Sequence, residues 1–185
     1  MFSRFFLSLL IFINFYLSLK ADEKQSIINR LRDINNITFN FKQITNEKTE
    51  TGSCLLVFDN KLKCTYEDET QKEILINNKT LVIMQKKYGK VYFYPISNYP
   101  FINILNKYSL ISMVQKSNLE LNNNINLIYI DKNKNKITVF FDKKNFDLMG
   151  WKVDDQFQNE IYFSLKIQHM NSEYDPSVFK VPTIN

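Results

Sequence analysis

A chain of 185 residues suggests one domain, and its net charge of +5, spread over scattered lysines, is too mild to imply nucleic acid. With one histidine, His169, and three glycines, it holds no nucleophile-elbow sequence and no glycine-rich phosphate loop. Two cysteines and one distant histidine do not supply the four ligands of a zinc site, so no catalytic residue, metal or cofactor is expected.

Residues 1–21 stand apart. Arg4 precedes an apolar run from Phe5 to Leu19, interrupted by Ser8, Asn14 and Ser18, and the charged Asp22-Glu23-Lys24 follows. A membrane span needs about 20 apolar residues. The shorter run and its place fit a secretory signal peptide, which leaves 22–185 as the exported domain. Leu19-Lys20-Ala21 is an imperfect cleavage site, and an uncleaved membrane anchor is the alternative.

Over 22–35, Ile27, Ile28, Leu31 and Ile34 share one face, which predicts an amphipathic helix. The period then changes to two. Ile37, Phe39 and Phe41 alternate with Thr38, Asn40 and Lys42, the pattern of a half-buried strand. Segments 52–58 and 61–67 form a hairpin with one apolar face: Cys54, Leu56 and Phe58 on one arm, Leu62, Cys64 and Tyr66 on the other. The two cysteines admit two readings. They form a cross-strand disulfide, which an exported protein allows, or they pack as two small apolar side chains. The hairpin register decides, and two- and three-residue turns set it differently.

Further strands are expected at 73–77, 80–85, 90–94, 125–131, 136–142, 147–154 and 158–168, nearly all sequential neighbours in an antiparallel meander. The interruption is 95–117. Pro95 ends a strand, and Pro100 opens one or two short apolar helices carrying Phe101, Ile102, Ile104, Leu105, Leu110, Met113 and Val114. A last helical turn is expected at 175–179. Leu55 to Phe58, Leu81 to Met84 and Val91 to Tyr94 are apolar on both faces. A sheet needs that when it is covered on both sides, or when one side takes an apolar ligand. The fold class is therefore α+β, a curved antiparallel sheet with a helical lid.

This order of elements resembles the LolA family, periplasmic carriers that move lipoproteins from the inner to the outer membrane of Gram-negative bacteria. The resemblance is carried by Phe41-Lys42-Gln43, Gly52 at the hairpin, Leu62 to Tyr66, Ile74 to Asn78 followed by Leu81-Val82-Ile83, Tyr94 to Phe101, Gly150 to Asp154, and Asp175 to Phe179. It implies an unclosed antiparallel β-barrel of about ten to eleven strands, with helices forming a lid over a hydrophobic cavity for acyl chains. An acyl chain in water costs about 0.8 kcal/mol per CH₂, so such cargo needs an escort.

On this resemblance Leu31, Phe39, Phe41, Cys54, Leu56, Leu62, Cys64, Tyr66, Phe101, Ile102 and Ile104 are expected to line the lipid cavity. The implied protein is a periplasmic monomer, not an enzyme. Its implied partners are acylated lipoproteins, an inner-membrane lipoprotein-releasing ABC transporter and an outer-membrane receptor. An acyl-binding sensor or interaction module of the same fold, with or without a membrane anchor, is the alternative. Two departures stand out. Phe58-Asp59 occupies the place where the family often has Arg-Pro, whose arginine is implicated in holding the lid closed, and Val82 and Ile83 replace aromatic residues. The lid latch must therefore differ, be weaker, or involve another residue.

Overall fold

A computed structural model describes residues 22–58, 60–96, 99, 101–132, 134–154 and 159–182. The expected signal peptide or anchor lies outside these residues, as do Asp59 and Pro100. A helix over 22–33, α1, is followed by β1 (Asn36–Thr45), β2 (Lys48–Val57), β3 (Lys61–Tyr66), β4 (Lys72–Asn77), β5 (Thr80–Gln85) and β6 (Lys90–Pro95). Two short helices come next, α2 (Ile102–Leu105) and α3 (Lys107–Lys116). The chain then forms β7 (Asn118–Leu121), β8 (Ile125–Ile130), β9 (Lys136–Phe141), β10 (Leu148–Asp154) and β11 (Glu160–Met170).

All eleven strands join one antiparallel sheet in the order β6-β5-β4-β3-β2-β1-β11-β10-β9-β8-β7. The first six strands run outward from β1. The chain then crosses the sheet through α2 and α3, and the last five strands return to pair β11 with β1. β6 and β7 are left as the two edges, so the barrel is unclosed. β7 has only four residues, too few for the alternation of Asn118-Leu119-Glu120-Leu121 to mark a strand, and its pairing with β8 reveals it.

The face bearing the helices holds the main core. Ile27 and Leu31 of α1 and Leu110, Met113 and Val114 of α3 are buried in one cluster with Leu119, Ile125, Leu127, Ile137, Val139 and Phe141. Arg30 Nε meets Asp147 Oδ1 at 2.6 Å, and Lys24 Nζ donates to the Ser117 carbonyl at 2.7 Å, pinning α1 at both ends. The outer face has its own small core. Val57, Leu75 and Val82 are buried beneath Phe179 of a 3-10 turn at Pro176–Phe179, where Asn77 Nδ2 donates to the Phe179 carbonyl at 2.9 Å. The C-terminal segment thus explains why the 55–58 and 81–84 stretches are apolar on both faces.

The hairpin register follows from its turn. Val57 pairs with Lys61, leaving three residues between them, and Asn60 takes the left-handed conformation at φ 61° that closes such a turn. That register sets Cys54 directly opposite Cys64, their Cα atoms 4.1 Å apart, and their sulfurs are bonded.

Candidate binding cavity

The core does not fill the whole inner face. Between β3–β5 on one side and β10–β11 on the other lies a cavity of about 320 Å³, at the small end of the range for ligand sites. Its wall is apolar along most of its length: Leu62, Cys64, Ile74, Ile76, Leu81 and Ile83 from β3–β5, Trp151, Val153, Ile161 and Phe163 from β10–β11. An aromatic series runs along it and into the core behind. Trp151 stacks on Phe163 at 4.4 Å between centroids, Phe163 stacks on Phe41 at 4.9 Å, and Phe41 meets Tyr66 edge-on at 4.8 Å. Gly52 makes this possible. A Cβ there would sit 2.8 Å from the Phe41 ring and collide with the Thr65 carbonyl.

One end of the cavity is polar. Tyr66 donates its hydroxyl to Gln43 Oε1 at 2.8 Å, and Gln43 Nε2 donates to Thr45 Oγ1 at 3.2 Å. Lys72 Nζ lies 3.7 Å from the Tyr66 ring centroid and 2.6 Å from Glu50 Oε1, which also accepts from Lys48 Nζ at 2.8 Å. Burial pushes the Tyr66 phenol far above its ordinary range, with the charges of Glu50 and Asp68 adding to the shift. Burial would also raise Glu50, but hydrogen bonds from Lys48 and Lys72 outweigh it and hold the carboxyl below its ordinary value.

Tyr99 and Phe101, just before α2, close the cavity from above with rings 5.8 Å apart. The β2–β3 turn holds the helices down through the main chain. Asn60 N–H donates to the Leu105 carbonyl at 3.3 Å, and Lys107 N–H donates to the Phe58 carbonyl at 3.2 Å. Lys107 Nζ also reaches Asn35 Oδ1 at 3.0 Å, and Asn106 caps α3 by accepting from Ser109 N–H at 2.9 Å. The lid is therefore tied at the same hairpin turn where the family often carries its arginine, by backbone hydrogen bonds.

Residues 32–182 match the family described as "Outer membrane lipoprotein carrier protein LolA". The chain belongs to the LolA family. It is 27% identical over 154 residues to the outer-membrane lipoprotein carrier protein of Campylobacter jejuni, covering 80% of this chain and 83% of the relative. Among solved structures, an uncharacterized conserved protein from Thermus thermophilus superposes with a TM-score of 0.52 at 7% identity, covering 85% of this chain and 93% of the other. A DUF1329 family protein from Desulfovibrio piger gives 0.51 at 6% identity, covering 86% and 96%. These two show the fold alone.

For this LolA-family chain, Leu62, Cys64, Tyr66 and Phe101 stand on the cavity wall. Leu31, Phe39, Phe41, Cys54, Leu56 and Ile104 are buried in the packed core that backs the cavity, and Ile102 packs partly exposed against it. Sequence reading passed over the second wall, Trp151, Val153, Ile161 and Phe163, although alternation in β10 and β11 carried the signal. Of the polar group, Gln43 and Asp154 stood only within motifs that carry the family resemblance, and Lys72 gave no signal, since it opens a strand where polar side chains are ordinary.

Proposed function

We propose that this protein is a periplasmic lipoprotein carrier. It encloses the acyl chains of lipoproteins released by an inner-membrane lipoprotein-releasing ABC transporter and passes them to an outer-membrane receptor. The observation that carries this reading is an apolar cavity beneath a helical lid, in a chain of the LolA family. Apolar wall rather than reactive groups is what acyl binding requires, because the gain scales with the area removed from water. The name of the Campylobacter jejuni relative points the same way. The test is affinity capture of the exported protein with identification of the bound lipoproteins, alongside its depletion in cells. Acylated lipoproteins should co-purify, and depletion should strand them in the inner membrane. Normal outer-membrane delivery after depletion, with no second carrier present, would overturn the proposal.

A further inference from the structure

The cavity wall is not uniform, and its asymmetry has a direction. Gln43, Lys72 and Asp154 all belong to one end of the sheet, as the pairings Thr45 with Ile161, Lys72 with Gln85 and Asp154 with Glu160 establish. Leu62, Ile76 and Leu81 pair with one another toward the opposite end, on the side of the 58–60 and 78–79 turns. Phe101 covers the apolar wall. A pure hydrocarbon site has no use for an ammonium group on its wall, and burying one beside apolar surface is costly unless it is partnered.

Here the partnering leaves a surplus. Glu50 is shared by Lys48 and Lys72, and Asp68 is a second carboxylate close to both, so the surplus is in N–H donors and not in charge. An ammonium has three N–H donors, and Glu50 takes one from Lys72. The Tyr66 ring beneath Lys72 fixes the ammonium on the cavity side of β4. Asp154 is the exposed acidic group on the same rim.

We infer that the cavity takes an acyl chain in one orientation, its carbonyl-bearing head held by Lys72 and Gln43 and its methyl end directed toward Leu62, Ile76, Leu81 and Phe101. This rests on the acyl-carrier reading and adds a chemical class to it: an acyl group whose head accepts hydrogen bonds. An ester or amide carbonyl of a lipidated protein and the carboxylate of a free fatty acid share that chemistry.

The experiment is displacement of N-phenyl-1-naphthylamine from the purified protein by 1-monopalmitoylglycerol, palmitate and 1-hexadecene. Lys72→Met keeps the apolar stem and removes the donors. It should raise the displacing concentration of the two headed ligands about tenfold and leave 1-hexadecene unchanged. Gln43→Leu should shift the same two ligands by a smaller factor, and Lys72→Arg should restore most of the loss. Lys86→Met, an exposed lysine at the same end of the sheet that pairs with Glu73, should shift none of them. An effect limited to palmitate assigns the head to a carboxylate; an effect on both headed ligands assigns it to the acyl carbonyl. Equal losses for all three ligands, or none, would overturn the orientation while leaving acyl binding intact. Failure of every ligand to displace the dye from the wild-type protein would instead overturn the carrier reading and this inference with it.

Discussion

The two halves of the sheet alternate in the same way and end differently. Over β7–β9 the inner face is met by α1 and α3, and the region around Leu110, Met113, Val114, Leu127 and Val139 leaves no room for a water molecule. Over β3–β5 and β10–β11 equally apolar side chains face a cavity of about 320 Å³. Apolar residues on a strand therefore specify only that a surface avoids water. Whether that surface is matched by the protein or left for a ligand depends on where the helices come down. In this chain α1 and α3 pack over the β7–β9 half, while on the other half Tyr99 and Phe101 line the cavity without filling it.

That contrast can be broken by truncating side chains on each side of it. Leu110→Ala removes a fully buried side chain from the filled half and should cost about 2–5 kcal/mol, read as a lower Tm and a lower denaturation midpoint. Ile83→Ala on the cavity wall, where space already exists, should cost under about 1 kcal/mol while weakening binding of apolar ligands. Equal costs at both positions would mean that the two halves are packed alike.

The disulfide closes a short loop at the cavity wall. Replacing Cys54 and Cys64 together with alanine should destabilise the fold by about 2–3 kcal/mol. The native oxidised protein should show no thiol until it is unfolded and reduced, and two free thiols in protein isolated under oxidising conditions would contradict the bond. Phe101→Asp places a carboxylate against an apolar wall, so the lid should lift and lipoprotein retention should fall about tenfold or more. Far-ultraviolet circular dichroism should stay unchanged, because α2 is four residues long and the sheet does not depend on it. Global unfolding would instead place Phe101 in the structural core.

The smallest effect is electrostatic. Glu50 titrates below its ordinary value in the folded protein, so its contribution is complete above the ordinary carboxylate range and is lost as pH falls through the folded value. Stability should therefore decline below about pH 4, and Glu50→Gln should flatten that decline by up to about 1 kcal/mol. Urea midpoints between neutral and acidic pH measure it. An unchanged acid limb in the variant would remove Glu50 from the account.

What the sequence determined by itself is what local periodicity encodes. The shift from a 3.6-residue to a 2-residue period after Ile34 marks the end of α1 and the start of β1, and the alternation of Phe39, Phe41, Leu62 and Tyr66 assigns them to the inner face. Short connections between successive strands made an antiparallel meander the economical topology. Tertiary structure decided everything that needs two distant segments to meet. A three-residue turn with Asn60 in a left-handed conformation chose Cys64 as the partner of Cys54, an outcome the alternation permits but does not require. Phe179, buried far along the chain against Val57, Leu75 and Val82, explained strands apolar on both faces. The cavity itself is the clearest case: side chains of one strand state which way they face, and only the packing of the whole chain states whether anything faces them.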